Sequence, residues 1–159
     1  MVDSNLPLET MPTSLSQSET DDLLAKVGIQ LQENTFDIKD EVLLNQLVEC
    51  LGDTRGMTRL RVAETLGKVG QPSTPFLESA LSHHQNPVVR RAAAKTLTLI
   101  ANPQTIPTLI HALLHDEDTV VKGSSVAALA KMGKASVPEL LKILESNEHP
   151  DSTKGHAAW

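Results

Sequence analysis

The feature that most constrains this chain is a segment that recurs at intervals of about 31 residues. The stretch VVRRAAAKTLTLIA at 88–101 returns as TRLRVAETLGKVG at 58–70 and as VVKGSSVAALAKMG at 120–133. A fourth copy begins as KGHAAW at 154–159. Aligned in this way, apolar and small residues fall into columns, which indicates a repeated helix with one core-facing side. The aligned columns are Leu66, Leu97 and Leu129; Ala63, Ala94 and Val126; and Gly70, Ala101 and Gly133.

A second segment precedes each copy and repeats in step with it. PFLESALSHH begins at Pro75, PTLIHALLHD at Pro107 and PELLKILESN at Pro138. Proline suits the first turn of a helix, where its missing N–H would have no partner anyway. Two helices in each period of about 30–40 residues are typical of an α-solenoid. The sequence therefore predicts an all-α fold, a right-handed α-solenoid of two-helix repeats.

The repeat register divides the chain into a tail, a capping helix and an array. Residues 1–19, rich in Ser, Thr and Pro, predict a flexible tail. Residues 20–35 predict a capping helix outside the register, with Ser18 and Asp21 in a capping arrangement. The array is predicted over 36–159, and its last repeat is incomplete, which predicts C-terminal truncation. Its repeats are predicted at about 36–70, 71–102, 103–133 and 134–159.

Local signals place the first outer helix at about 38–51. Asp37 is a typical N-cap, and the apolar stripe expected to face the core begins at Val42 and continues through Leu44 and Leu47. The later helices are predicted at about 57–69, 73–82, 87–100, 105–114, 119–132 and 137–145.

Composition excludes several functional classes. The formal net charge of −6 argues against a general nucleic-acid binder, and the three aromatic residues provide no platform on which bases could stack. No apolar run is long enough to span a membrane, and no N-terminal stretch has the pattern of a signal peptide. The single cysteine excludes an internal disulfide and is compatible with a reducing compartment. The chain is therefore expected in the cytoplasm, without a nucleic-acid partner.

The side of the inner helices opposite the core is the candidate binding surface. By register it passes from charged residues to small and apolar ones along the array, ending at Trp159. An exposed tryptophan beside Leu99, Ser124 and Ala127 would anchor a partner protein or a flat apolar ligand; the alternative is that later residues cover it. The residues predicted to bind a partner are Glu64, Lys68, Lys95, Leu99, Ser124, Ala127, Lys131, His156 and Trp159.

One column carries a cation in every repeat. Such a ladder can clamp phosphate or propionate groups. The favoured interpretation is structural, with each cation bonded to carbonyls and acidic turn residues of its neighbour, such as Asp53 or Asp118. The column comprises Arg59, Arg90, Lys122 and Lys154.

Side chains with metal-binding or nucleophilic chemistry are interpreted as structural. His83 and His115 share a register position and are expected as solvated turn residues, His111 is expected to be half-buried, and no metal site is predicted. Cys50 falls in a core column and is expected to be a small buried side chain rather than a nucleophile or an iron ligand. No Gly-rich phosphate loop, nucleophile elbow or Ser/His/Asp arrangement is recognised, so no catalytic residue is assigned.

Three phrases carry a resemblance to a known family: NPVVRRAAAKTL, DTVVKGSSVAALAKMG and STKGHAAW. With the short period and the early prolines, they resemble HEAT-like repeats of the cyanobacterial phycobilisome-lyase type, over about residues 38–159. Members include the E/F-type phycocyanobilin lyases, the phycobilisome-degradation protein and the HEAT-repeat protein that interacts with the iron–sulfur assembly scaffold IscA. The segments VVKGSS and STKGHAAW most resemble the last group.

The resemblance implies two main functions. The first is a non-catalytic scaffold that binds a protein partner, either phycobiliprotein subunits or IscA, through the inner-helix surface and needs no cofactor. The second is a phycobilin lyase subunit or phycobilisome-associated factor, which would hold a bilin and deliver it to a cysteine of a phycobiliprotein subunit. In that case the cation column and the Trp159 region are the candidate contacts. An iron–sulfur cluster is implied only by the third and weakest alternative, an iron- or cluster-associated protein.

Overall fold

Consecutive helix pairs stack into two layers, in the all-α arrangement that the repeats predict. The computed structural model describes residues 14–146 and 151–159. Its α-helices are α1 (Gln17–Gln32), α2 (Glu41–Glu49), α3 (Gly56–Val69), α4 (Thr74–His83), α5 (Pro87–Ile100), α6 (Ile106–His115), α7 (Thr119–Lys131), α8 (Val137–Glu145) and α9 (Asp151–Ala158). Helices α1, α3, α5, α7 and α9 contact one another in sequence and form the inner layer, while α2, α4 and α6 form a row outside them. None of the helices in the described ranges is long and apolar enough to cross a membrane.

Side-chain caps fix where several helices begin. Ser16 and Glu19 form a capping box at α1, in which each side chain accepts a hydrogen bond from the other residue's backbone N–H. Asp40, Asn86 and Asp118 accept backbone N–H bonds at the starts of α2, α5 and α7. Prolines occupy the first or second position of four helices, α5 and three others, where they leave no intrahelical donor missing. These are Pro75, Pro87, Pro107 and Pro138.

Buried hydroxyl groups join each inner helix to the outer helix that follows. Ser73 Oγ donates to the Leu66 carbonyl oxygen at 3.1 Å, and Ser136 Oγ donates to the Leu129 carbonyl oxygen at 2.7 Å. Thr105 occupies the equivalent position and donates to a carbonyl of its own turn. All three are at most 1% exposed. The Leu66 and Leu129 carbonyl oxygens also accept a backbone N–H at the end of their own helix, so each serine hydroxyl adds a second hydrogen bond there.

The chain reverses after each inner helix through a residue with positive φ. Gly70 has φ 78°, Ala101 φ 54° and Gly133 φ 60°. Glycine adopts this conformation freely, whereas an L-residue there brings its Cβ close to the following carbonyl oxygen, at a cost of about 1–2 kcal/mol. Ala101 is the one member of the column with a Cβ, so its conformation is imposed by the packing around it.

The core lies between the two layers and follows the predicted columns. Leu66, Leu97 and Leu129 are all fully buried. Helix α1 extends the inner layer by packing on α3, and it buries Leu24 and Val27. Burial of these periodic apolar side chains therefore drives the stacking of the helices, because each helix pair covers the apolar side of the pair before it.

The N-terminal part of the fold differs from the sequence expectations. Helix α1 begins at Gln17, so the predicted tail of 1–19 is wrong for its last residues; residues 1–13 lie outside the described ranges. Asp37 does not cap α2, because its carboxylate accepts the Lys39 N–H at 2.9 Å in a turn, and the helix starts later. Val42, expected in the core, is 71% exposed.

Candidate interaction surface

The predicted binding surface lies on the inner-layer helices α3, α5, α7 and α9. Its exposed members are Glu64, Lys68, Lys95, Leu99, Ala127, Lys131 and Trp159. Ser124 departs from the expectation because it is only 9% exposed, and His156 is half-buried. The reason for the burial of Ser124 is that α7 is flanked by α5 on one side and by α9 on the other, which the amphipathic pattern of one helix does not reveal.

The central part of this surface is a groove between α5 and α7. It has a volume of about 430 Å³, and small or apolar residues of α7 dominate its lining. Thr98 also lines it, but its hydroxyl donates to the Ala94 carbonyl oxygen at 3.0 Å within α5. The groove is lined by Lys95, Thr98, Val120, Gly123, Ser124 and Ala127. These side chains leave room for a group from outside the chain to approach the backbone of α7.

One basic side chain lines the groove and two more lie on the same inner-helix surface, on a chain that is acidic as a whole. Lys95 lines it, while Lys68 and Lys131 share the neighbouring column with Leu99, which is 56% exposed. All three lysines are exposed, and within residues 14–146 and 151–159 none of them forms an ion pair. Their charges are therefore available to a ligand of opposite charge.

Trp159 lies in a different place from the one the register predicts. It is 82% exposed and, with His156, lines a separate depression of about 320 Å³ near the end of the array. The other walls are apolar and include Leu129, Leu140 and Leu144. This depression shares no lining residue with the groove between α5 and α7. The structure therefore does not bring Trp159 together with Ser124 and Ala127.

Two of the four members of the cation column, Arg59 and Arg90, have the structural role that the sequence favours. Arg59 Nη1 donates to the Asp53 carbonyl oxygen at 2.7 Å. Arg90 Nε and Nη2 bind the two carboxylate oxygens of Asp116 at 2.9 and 3.2 Å, and Nη1 reaches the His84 carbonyl oxygen. The planar guanidinium thus ties the turn after α4 to the turn after α6. Because these donors are engaged within the chain, they are unsuited to clamping an anion.

A second arginine–aspartate pair links the same neighbours. Arg91 Nε donates to Asp118 Oδ1 at 3.0 Å, and Arg91 Nη2 bonds the other carboxylate oxygen. These bonds, with those from the backbone N–H groups of Val121 and Val120, hold the pKa of Asp118 down at about 2. Asp118 therefore serves two purposes, as the cap of α7 and as an anionic partner for α5.

Four of the histidines, His83, His84, His111 and His115, line one cavity near the ends of α4 and α6. His84 Nε2 lies 3.0 Å from Glu49 Oε1, and its Nδ1 accepts the Asn86 N–H. His111 is exposed rather than half-buried, and it precedes His115 by four residues, so their rings share one side of α6 with centroids 4.7 Å apart. The sequence prediction treated His115 as a turn residue and did not use this i, i+4 spacing, which places two side chains on the same side of a helix. In the described ranges no three His, Cys, Asp or Glu side chains come together as a metal site.

Cys50 is buried at the end of α2, where it is one of the residues that line a small cavity. Its Sγ lies 3.8 Å from Thr20 Oγ1, and the residue is 5% exposed. Burial raises the pKa of the thiol above its ordinary value, and this disfavours the thiolate that nucleophilic chemistry or metal ligation requires. Cys50 is therefore a packing residue.

Comparison with known protein families identifies the type of repeat. The family model for HEAT repeats matches residues 74–159, which is more than half of the chain. The chain belongs to the HEAT-repeat family. The match covers helices α4 to α9, so the groove between α5 and α7 lies within the HEAT repeats.

Several of the curated relatives of these HEAT repeats come from cyanobacteria. Bilin biosynthesis protein MpeU of Synechococcus sp. (strain WH8020) is 42% identical over 89 residues, which are 56% of this chain and 30% of that protein. Bilin biosynthesis protein PecE of Nostoc sp. is 43% identical over 61 residues, 38% of this chain and 24% of that protein. The uncharacterized phycocyanin operon protein Z of Pseudanabaena tenuis is 31% identical over 118 residues, 70% of this chain and 58% of that protein.

These similarities confirm the resemblance to phycobilisome-lyase-type HEAT-repeat proteins. The chain spans between about a quarter and three fifths of the length of these relatives.

Proposed function

We propose that this chain is a non-catalytic interaction module that binds a protein partner through the inner-helix surface. The observation that carries the proposal is the groove between α5 and α7, together with lysines on the same inner-helix surface that the described residues leave unpaired. Solenoids use such extended surfaces for binding because successive repeats present the same side of each helix. The Cys50 thiol is buried, and the arginines of the cation column are bonded within the fold. Both observations support binding rather than catalysis.

The kind of partner follows from the relatives. Two of them are named for bilin biosynthesis and a third for the phycocyanin operon, so phycobiliprotein subunits in the cytoplasm are the proposed partners. The iron–sulfur assembly protein IscA is the competing partner, because the segments VVKGSS and STKGHAAW resemble the IscA-interacting group. In both cases the chain holds no cofactor of its own.

An affinity pull-down from cyanobacterial lysate tests this proposal. The bait is compared with its Lys95→Glu/Lys131→Glu variant, which reverses the charge beside the groove. Lys39→Glu/Lys134→Glu is the matched control, since it makes the same charge change on exposed residues outside the inner helices that form no ion pair in the described ranges. We expect phycobiliprotein subunits on the wild-type and control baits and much less on the groove variant, with circular dichroism unchanged. Equal retention by all three baits would show that the inner-helix surface is not the docking site.

A second candidate is a phycobilin lyase subunit, favoured by the similarity to bilin biosynthesis proteins. Its cargo would be a bilin, whose propionates the lysines beside the groove could pair with. The required product is a covalent, acid-stable bilin on an acceptor subunit. If the adduct forms at the same rate without this chain, the lyase alternative is excluded.

A further inference from the structure

We infer that the groove between α5 and α7 accepts one side of an acidic amphipathic helix of the partner, with Gly123 at the point of closest approach. This inference rests on the proposed function and makes it more specific, because it names the structural element and the charge of the docking segment. Three independent features of the groove support it, and each concerns a different property: space, hydrogen bonding and charge.

The first feature is the unfilled space at Gly123. Gly123 lies inside α7, where glycine stabilises a helix less than alanine does. A Cβ at this position would meet no heavy atom of the described chain within 4 Å. Gly52 shows the contrasting case, because a Cβ there would come within 3.0 Å of Val89 Cγ2 and packing alone accounts for the glycine. Packing within the chain does not require a glycine at 123, and because Gly123 lines the groove, its open position lets an outside group come close to the α7 backbone.

The second feature is the hydroxyl group of Ser124. Ser124 is 9% exposed and lines the groove, yet its hydroxyl has no hydrogen-bond partner among the residues that the structure describes. Its neighbours are satisfied: Ser125 Oγ donates to the Val121 carbonyl oxygen at 2.9 Å, and Thr98 donates within α5. The Ser124 Oγ is not enclosed within the chain, so it can be reached from the groove. The Ser124 hydroxyl is thus positioned to bond a polar group that enters the groove.

The third feature is the charge around the groove. Lys95 on its wall and Lys68 and Lys131 along the same surface are unpaired in the described ranges, whereas the chain as a whole carries a net charge of −6. Carboxylates on a docking segment would be attracted here and repelled by most of the remaining surface. The groove therefore selects an acidic partner.

The shape of the groove favours a helix as the docking element. The groove runs between two neighbouring helices, and side-chain ridges of a third helix fit such a groove when the contact residues are small. Gly123 and Ala127 are four residues apart on α7, so they present one small-residue strip that lets another backbone come close. Val120 and Leu99, both exposed, supply apolar contacts for the buried side of an amphipathic helix.

Fluorescence anisotropy with three labelled synthetic peptides tests the inference on the intact chain. Each peptide is about 20 residues long, enough to form a helix on binding. The first places glutamates on both sides of a Leu/Ala strip, the second replaces every glutamate by lysine, and the third has the composition of the first in scrambled order. We expect the acidic amphipathic peptide to bind at least about tenfold more tightly than the other two. Equal binding of the three peptides, or preference for the lysine peptide, would overturn the inference.

A matched pair of glycine variants locates the contact. Gly123→Met fills the groove, while Gly28→Met adds the same side chain to α1, where a Cβ also meets nothing within 4 Å. Because both replace a helical glycine in open space, both should raise the melting temperature by a similar amount. We expect only Gly123→Met to weaken binding of the acidic peptide, by about tenfold or more. Unchanged binding by Gly123→Met would exclude the groove as the docking site.

The same variants separate failure of this inference from failure of the proposed function. If the pulled-down partner is lost with Lys95→Glu/Lys131→Glu but retained by Gly123→Met, the inner-helix surface binds the partner and the helix-in-groove inference is wrong. If neither change affects retention, both are wrong. A bilin that competes with the acidic peptide, while the partner protein does not, would assign the groove to the small molecule instead.

Discussion

Leu97→Ala should destabilise this array far more than Leu144→Ala. Leu97 is 0% exposed in α5, which packs against α3, α4 and α7. The substitution removes buried carbon atoms and leaves an enclosed cavity, so we expect a loss of about 3–4 kcal/mol in the free energy of unfolding. Leu144 is half-buried beside an open depression, so the vacated space is filled by solvent. Only part of its transfer free energy is lost, about 1 kcal/mol.

Thermal unfolding followed by circular dichroism measures the difference. For a domain of this size each kcal/mol shifts the melting temperature by about 2–4 °C, so we expect a decrease of about 10 °C for Leu97→Ala and about 3 °C for Leu144→Ala. Leu113→Ala is the matched control, because Leu113 occupies in α6 the position of Leu144 in α8 and is fully buried. It should resemble Leu97→Ala. If Leu113→Ala and Leu144→Ala shift the melting temperature equally, the last repeat is as tightly packed as the central ones and the reasoning is refuted.

Three further predictions concern the caps and junctions. Asp118→Asn keeps a capping side chain but removes the charge that pairs with Arg91. The pKa of Asp118 in the folded state, about 2, lies below its ordinary value of 3.8. The pairing therefore stabilises the fold at neutral pH, and this stabilisation is lost as the pH falls below about 4 toward 2. The difference in melting temperature between wild type and Asp118→Asn should therefore be largest near pH 7 and shrink on acidification, and a constant difference would contradict the assignment. Ser136→Ala removes the buried hydrogen bond to the Leu129 carbonyl oxygen, which keeps its bond from the Met132 N–H, and should lower the free energy of unfolding in urea by about 0.5–1.5 kcal/mol. No change would mean that water replaces the hydroxyl. Ala101→Gly relieves the left-handed conformation of a residue with a Cβ and should raise the free energy of unfolding by about 1 kcal/mol, which a decrease in the same urea titration would disprove.

The repeating parts of the fold could be predicted because their signals are periodic. The range predicted for α5, 87–100, is the observed one, since Asn86 and Pro87 mark its start and the leucine column marks its core side. The resemblance to phycobilisome-lyase-type HEAT repeats is likewise confirmed, because it depends on several copies of one pattern. Each copy supports the others, so an error at one position does not change the conclusion.

Single local signals were less dependable. Ser16 and Ser18 each precede an acidic residue by three positions, and the structure selects Ser16, whose partner Glu19 is long enough to reach back to the backbone N–H of the cap. Val42 is apolar but lies outside the core, because the start of α2 at Glu41 turns Leu43 and Leu44 inward instead. Local sequence cannot rank two adjacent starts that both satisfy the pattern.

The candidate surface could be predicted only as a set of positions. The register correctly places Lys95 and Ala127 on the exposed side of the inner helices. It does not reveal that Ser124 is buried between neighbouring helices or that Trp159 lines a separate depression with His156. Both facts depend on the bulk and angle of adjacent helices, which are properties of the assembled array.

The alanine at the end of α5 has a consequence for how the array unfolds. At 70 and 133 glycine can form the left-handed turn from its own conformational preference, so those junctions need little help from their surroundings. At 101 the turn persists because α5 and α6 are both packed, and loss of either helix releases it. Once the turn is released, the remaining helix loses support as well. We therefore expect cooperativity to be strongest across the centre of the array, with the two central repeats unfolding as one unit rather than one after the other.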